Sequence, residues 1–386
     1  MKILWVNPSF LDYRVPVYKR LYELSGGNFY ILFSQNRVPD RVIRKIKDSI
    51  GNNAIVFNNE KILKIGNDKG MANKYITIPF TKGLYKTISA VKADFIISEG
   101  FFQWTHISLL YSLLHHKKLV IAYERTKHTE RNCPFWRTAY RKLVNKFTSG
   151  YLCNGKLTIE YLNSIGIKKN KCFIGGMSAD SSNLSSLSNS ISSADKIKLK
   201  NKLKIEPTDG LIYISIGQLI ERKGYDYLFR AWNIHINKFP NDKLIVIGTG
   251  EYYDRFKKDY ESNNLIILGS IDYDLIYKYY SISDVFIIPT LEDNWSLVVP
   301  EAMACGLPIA CSIYNGCYPE LVHENVNGKL FDPLKQDTMT EALEYFHHVD
   351  LKDFGQKSIE IEKEYNYEKV SDRIYKACLE IYNSHK

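Results

Sequence analysis

An apolar run that breaks into an acidic loop and then into a helix carries the most legible chemistry of this chain. In PTLEDNWSLVVPEAMACGLPIACS the run ends at Pro289, Glu292-Asp293-Asn294 follow, and Glu301 stands eight residues after Asp293. The pattern predicts a strand, a loop and a helix that begins near Ser296–Leu297, with Glu301 one turn inside it. Val298, Val299, Ala302 and Met303 around Glu301 are apolar, which argues against an ordinary exposed helix charge. A carboxylate held there can accept hydrogen bonds from paired sugar hydroxyls. The amides of Trp295–Val298 at the helix start are expected to form an anion seat. A second turn, in LIYISIGQLIERKGYDYLFRAW, puts Gly217 after a strand and Lys223-Gly224 at a helix start. Free N–H groups and the helix dipole favour phosphate there. An ammonium at that point offsets the charge that develops on a diphosphate leaving group.

These residues need a scaffold. The chain has 386 residues, 45% of them hydrophobic and 24% charged. That composition excludes disordered and disulfide-scaffold classes, and the length leads to two domains. Residues 2–6, 28–34, 54–57, 94–98, 118–123 and 150–154 are short runs rich in Ile, Val, Tyr and Phe and read as buried strands. Residues 211–217, 243–248, 265–269, 285–289 and 307–312 repeat the rhythm in the second half. Helical spacing fills the gaps. Such alternation predicts parallel sheets with helices on both faces, here as two doubly wound Rossmann-like domains facing each other across a cleft. Ligands of such sheets sit outside the carboxyl ends of the strands, so the cleft is the expected site. Nine serines between 178 and 193 read as a linker or loop. The expected division is a first domain over 1–176, a linker over 177–200 and a second domain over 201–365.

The charge is uneven. Residues 1–176 hold 29 Lys and Arg against 11 Asp and Glu, whereas 177–386 hold 23 against 31. A basic first half implies an anionic partner. Nucleic acid, anionic lipid and a pyrophosphate-bearing substrate all fit that sign. The segments VPDRVIRKIKDSI (38–50) and PFWRTAYRKLVNKF (134–147) are basic and amphipathic. Each is either a core helix with a basic outer face, the expected reading for the second, or a rest on an anionic leaflet. Seven cysteines without a CxxC pair suit a reducing compartment. No apolar run reaches the roughly 18 residues of a spanning helix, and the N-terminus lacks a signal-peptide layout.

GQLIERKG, VIGTGEYYD, LGSIDYDLIYKYYSISDVFIIPTLEDNWSLVVPEAMACGLPIACS and NGCYPELVHENVNGKLFDP together resemble, in order and spacing, the C-terminal domain of glycosyltransferase family 4. The likeness is strong over about 210–333 and extends to the first half only in rhythm. It implies the GT-B fold, retention of configuration, a nucleotide-sugar donor held mainly by the second domain, and a C-terminal helix, about 366–386, that packs back on the first. By resemblance Lys223 binds the donor diphosphate, Glu301 the nucleotide ribose, and Asp293 or Glu292 the donor-sugar hydroxyls. The family's arginine after the motif glycine is Gln218 here, with Arg222 as a substitute cation. Asn294-Trp295-Ser296 replaces the commoner Gly-Phe-Gly before Leu297. Backbone at Gly269–Ile271 is expected to meet the base. No metal or other cofactor is implied. Asp272-Tyr273-Asp274 spells a metal-binding DxD, but its place before a helix suits capping and base-side loop roles. His115-His116 and His347-His348 come with no evident ligand set.

On the acceptor side, Arg14 in NPSFLDYRVPVYKRL faces the phosphates or the acceptor in this reading. Many family members carry a histidine after the strand LVIAY. Tyr123-Glu124 stands there instead, which makes Glu124 the acceptor-side carboxylate able to orient or deprotonate a hydroxyl, with His128 and Arg131 beside it. A Lys-, Asn-, Ile- and Tyr-rich chain suits an AT-rich bacterial gene. The expected activity is transfer of one sugar, preferably from a UDP-sugar, to a free or lipid-pyrophosphate-linked glycan in surface-polysaccharide synthesis, O-antigen or capsule, at the inner face of the cytoplasmic membrane. The alternatives are an epimerase or phosphorylase on the same fold, or a non-enzymatic binder of anionic ligands. A dehydrogenase is disfavoured, because Gly248-x-Gly250 is followed by Tyr253 where a third glycine belongs. Nucleic acid is disfavoured by the acidic second half and the lack of zinc-like or RNP-like patterns.

Overall fold

The computed structural model describes residues 1–66, 75–179, 181–206 and 210–384. The chain divides into two compact units. One contains the residues up to Ser178 together with Tyr367 onward, and the other runs from Ala179 to Asn366.

The first unit runs β1 (Ile3–Val6), α1 (Arg14–Leu24), β2 (Phe29–Ser34), α2 (Asp40–Ile50), β3 (Ala54–Phe57), β4 (Glu60–Gly66), β5 (Tyr75–Thr81), α3 (Leu84–Val91), β6 (Phe95–Glu99), α4 (Thr105–Leu114), β7 (Lys118–Tyr123), α5 (Phe135–Asn145), β8 (Gly150–Cys153), α6 (Lys156–Ser164) and β9 (Cys172–Ile174). Seven of the strands form a parallel sheet in the order β3-β2-β1-β6-β7-β8-β9, while β4 and β5 pair antiparallel with each other. The sheet is apolar on both faces because helices cover both. Trp5, Tyr18, Phe29 and Phe33 pack on one side, and Leu4, Ile96, Trp104 and Leu119 on the other.

The second unit runs α7 (Ser181–Ser190), α8 (Ser193–Lys202), β10 (Ile212–Ile216), α9 (Tyr225–Lys238), β11 (Lys243–Ile247), α10 (Tyr253–Tyr260), β12 (Leu265–Ile267), α11 (Ile276–Tyr280), β13 (Val285–Ile288), α12 (Val298–Ala304), β14 (Ile309–Ser312), α13 (Tyr318–Leu321), β15 (Gly328–Phe331), α14 (Gln336–Tyr345) and α15 (Leu351–Glu362). Its six strands are all parallel, in the order β12-β11-β10-β13-β14-β15. The last helix, α16 (Tyr367–Asn383), belongs to the first unit. Its Val370, Ile374 and Ile381 share the core that holds Ile3 and Trp5, and Ser371 Oγ lies 3.4 Å from the carbonyl of Val17 on α1.

Each unit is therefore a doubly wound Rossmann-like domain. In each sheet the winding direction reverses once, between β1 and β6 and between β10 and β13. At such a switch the loops leave in opposite directions and open a crevice at the strand ends.

The serine-rich stretch departs from the linker expected over 177–200. It forms α7 and the start of α8, while Asp180 lies outside the described residues. Serine content masks two anchors. Leu184 is buried, and Ser181 Oγ donates to the buried Glu362 carboxylate of α15. Ser192 caps α8 by accepting from the Asp195 amide at 3.1 Å. Short β9 and β15, and the β4–β5 hairpin, are further elements beyond the sequence reading.

Candidate functional site

The crevice of the second unit is framed by the loop after β10 and the loop after β13. Three hydrogen bonds strap them together at one carbonyl. Leu291 N, Glu292 N and Thr290 Oγ1 all donate to Arg222 O, at 2.8, 3.2 and 3.1 Å. Gly224 makes this approach achievable. Its φ of +73° suits glycine, and a Cβ there would lie 2.1 Å from Pro289 O.

Across this seam Lys223 Nζ donates to Asp293 Oδ2 in an ion pair. Arg222 adds a second cation, with Nη1 3.8 Å from the same oxygen and 3.3 Å from Glu292 O. Ser296 Oγ also donates to Asp293 Oδ2, at 2.7 Å. Burial alone would push the Asp293 carboxyl up. Lys223, Ser296 and Arg222 outweigh burial and hold it below the usual carboxylate range. The ammonium has three donors and uses one here, so two are left for a ligand's oxygens.

Glu301 is buried in the first turn of α12. It accepts from Tyr273 OH at 3.1 Å and from Tyr280 OH at 3.4 Å. Burial, with Glu301 beside it, pushes the Tyr280 phenol well above its ordinary value, so it remains a donor. Tyr273 is the middle residue of the DxD-like run. That run lies in a tight turn where Asp272 makes no side-chain cap, which corrects the capping role expected for it. Its link to the site is the tyrosine between the two acids, a residue type without a charge signal.

Two of the four amides expected to form an anion seat over Trp295–Val298 are engaged within the loop. Trp295 N donates to Asp293 Oδ1 at 3.2 Å, and Ser296 N donates to Asn315 Oδ1 at 3.3 Å. Asn315, missed by sequence reasoning, is fully buried after β14 and also accepts from Cys317 N at 3.4 Å. Its Nδ2, like the indole N–H of the buried Trp295, has no acceptor. The two are buried donors close to Asp293 along the chain or through its bridge to Asn315. Glu292 is buried, Gln218 is exposed, and Asn294 and Leu297 are half-buried.

At the ends of β10, β11 and β12 the backbone itself crowds. Gly248 N donates to Gly269 O at 2.8 Å, and a Cβ on Gly248 would lie 1.8 Å from Gly217 O. The Gly248-x-Gly250 run thus serves strand packing. Ile271 follows Gly269 half-buried on the same edge.

The first unit carries a second group at its own crevice. Arg14, at the start of α1, is buried against Trp5 and Tyr13 and pairs with Glu99 Oε1 at 3.7 Å. It is packed inside the unit, not displayed for phosphate as the sequence suggested. Glu99, at the end of β6, was not singled out by sequence. Its Oε2 accepts from Trp5 Nε1 at 3.0 Å. Burial raises the Glu99 carboxyl, Arg14 lowers it and Glu124 raises it further, with a net upward shift. Glu124, half-buried after β7, therefore shares one electrostatic neighbourhood with Glu99, Arg14 and Tyr13.

Further along that loop, Arg131 is exposed and folds onto His128 O at 2.6 Å. His128 is half-buried. The anchor is Glu130, between them in sequence, which pairs with Arg125 and with the buried Arg141, each at 3.0 Å. His347, expected to have no ligand set, meets His235 and Asp242 instead. Both imidazole Nε2 atoms lie near Asp242 Oδ2, at 2.8 and 2.7 Å. Asp242 directly precedes β11 and binds Leu211 N at 2.8 Å before β10. The cluster thus ties strand beginnings together, at the opposite end from the crevice. These are hydrogen-bond lengths, and the buried His235 Nδ1 lacks the acceptor that a metal-bound imidazole ordinarily has.

Residues 195–360 match the family profile of glycosyl transferases group 1. An uncharacterized glycosyltransferase of Haemophilus influenzae is 30% identical over 161 residues, 40% of this chain and 45% of that one. The Escherichia coli UDP-Gal:alpha-D-GlcNAc-diphosphoundecaprenol alpha-1,3-galactosyltransferase is 29% identical over 159 residues, 39% of this chain and 40% of that one. The chain thus spans less than half the length of these curated relatives. Among solved structures, Anabaena HepE in complex with UDP and glucose superposes with a TM-score of 0.73 at 16% identity, covering 97% of this chain and 98% of that one. That likeness shows the GT-B fold. The group 1 match thus falls within the second unit, most of which it covers.

Proposed function

From that match we propose that the chain is a retaining glycosyltransferase that moves a sugar from a nucleotide-sugar, preferably a UDP-sugar, to a hydroxyl of a glycan acceptor. The observation that carries the reading is the Lys223–Asp293 pair at the crevice of the second unit, together with Glu301, eight residues on and held by two phenols. Lys223 and Arg222 meet the diphosphate, Glu301 the ribose hydroxyls, and Asp293 with Glu292 the donor sugar. The acceptor oxygen bonds to the anomeric carbon on the face the diphosphate leaves. The leaving oxygen takes the bonding electron pair and then the hydroxyl proton. Lys223 and Arg222 stabilise the departing charge, so the reading calls for no metal. Glu124 and Glu99 orient the acceptor hydroxyl.

The acceptor in this reading is a lipid-pyrophosphate-linked glycan of bacterial surface-polysaccharide synthesis, O-antigen or lipopolysaccharide. The Escherichia coli relative, named for a diphosphoundecaprenol-linked substrate, supports it. No helix among the described residues is long and apolar enough to cross a membrane. A peripheral place on the inner face of the cytoplasmic membrane goes with that acceptor.

A thermal-shift screen with UDP, GDP, CMP and NAD tests the donor half. A nucleotide at 100 times its dissociation constant adds about 2.7 kcal/mol to the folded state. The expected result is stabilisation by one nucleoside diphosphate, reduced in Glu301→Ala. A response to NAD alone would falsify the transferase reading.

A further inference from the structure

Helices α2 and α5 are both basic and amphipathic by sequence, yet their outer faces differ. In α2 the apolar Val42, Ile43, Ile46 and Ile50 are buried, and the basic residues point outward. Two of these, Arg41 and Lys45, are paired with Asp12 at 2.7 and 3.0 Å. That is an ordinary core helix.

Helix α5 differs, because it buries Val144 but leaves other large apolar residues uncovered. Its inner side is anchored by the buried Arg141, which donates to Tyr161 OH at 2.7 Å and pairs with Glu130. Its outer side carries Phe135 at 87% exposure, Trp136 at 42%, Leu143 at 52% and, one turn on, Phe147 at 45%. The core-helix expectation for residues 134–147 holds for the inner arc, whereas the outer face is apolar as well as basic. Arg141 and Val144 occupy the inward arc and Tyr140 stacks on Phe102, while Phe135, Trp136 and Phe147 stay exposed.

The neighbouring helix extends the surface. β6, β7 and β8 are successive parallel strands, and right-handed crossovers put α4 and α5 side by side on one face of the sheet. α4 exposes Leu110, Leu113 and Leu114. Neither 104–118 nor 131–149 contains an Asp or Glu, while Lys142 and Lys146 are exposed on the apolar side of α5.

We infer that this face of α4 and α5 docks on an anionic lipid bilayer. Apolar side chains of an interfacial helix enter the headgroup boundary, and lysines snorkel to lipid phosphates. The absence of carboxylates across both helices, in a unit with 29 basic and 11 acidic residues over 1–176, supplies the charge complementarity. A second copy of this chain, bearing the same cations, would repel at this face. The inference rests on the lipid-linked-acceptor reading for its occupant, but its test reads lipid binding rather than sugar transfer.

Trp136 makes the test direct, because the other four tryptophans are at most 5% exposed. The full chain is mixed with phosphatidylcholine vesicles with and without phosphatidylglycerol, some with brominated acyl chains. The expected result is flotation with the anionic vesicles, lost at high salt, with Trp136 emission quenched by bromine. Trp136→Phe should float without that quenching. Phe135→Ser with Leu143→Ser, or Lys142→Glu with Lys146→Glu, should weaken binding by at least about tenfold. In both double variants the nucleotide-induced thermal shift should persist. No flotation at low salt, flotation without quenching, or a dimer that Phe135→Ser dissociates would overturn the inference. A chain that floats but answers no nucleotide keeps the surface and loses the transferase reading.

Discussion

Lys223 and Asp293, 70 residues apart, close an ion pair across the two loops that frame the second unit's crevice. Both side chains are largely buried, at 13% and 12% exposure. A pair this enclosed resists loss of one partner more than loss of both, since a single deletion strands a buried charge. Lys223→Ala and Asp293→Ala should each lower stability in urea by about 3 kcal/mol, and the double variant should lose clearly less than their sum. Strict additivity would mean that the two groups do not interact.

The same pair sets a pH dependence. The folded Asp293 carboxyl lies below its ordinary value, so the stability it contributes is complete above the unfolded pKa of about 4. It is lost as pH falls through the lower folded value. The advantage of the wild type over Asp293→Asn should therefore be constant near neutrality and shrink in acid. An advantage that grew toward acid would contradict the assigned direction.

Gly224 and Gly26 both have positive φ, but they meet different surroundings. A Cβ on Gly224 would strike Pro289 O, whereas one on Gly26 would meet nothing within 4 Å. Gly26→Ala should cost about 1 kcal/mol, the backbone term alone. Gly224→Ala should cost at least about 2 kcal/mol more and weaken nucleotide binding, because it forces the two loops apart. Equal losses would remove the close approach from the account.

Glu130 and Glu124 lie on one loop and separate stability from activity. Glu130→Ala strips the buried Arg141 and Arg125 of their shared carboxylate and should cost about 3–5 kcal/mol. Glu124→Gln should change stability by less than about 1 kcal/mol and lower the transfer rate by roughly hundredfold. A stable Glu130→Ala, or a fully active Glu124→Gln, would reverse the two assignments.

The sequence by itself determined the strand runs, because buried parallel strands need apolar residues on both faces and leave runs such as KLVIAY, which coincides with β7. It also pointed to Lys223, Asp293 and Glu301, since strand-to-helix turns at fixed spacing are local features. Pairings across long separations were decided only by the tertiary structure. Glu99 meets Arg14 through two neighbouring strands, Tyr273 reaches Glu301 from another loop, and Asn315 takes the Ser296 amide that a local reading assigned to an anion. The serine-rich segment became α7 because Glu362, far along the chain, receives Ser181. The side of α5 that faces inward carries Arg141, paired with Glu130, and Val144, which joins the core. Amphipathic spacing fixes that a helix has two faces. Only what packs against it decides which of them meets solvent.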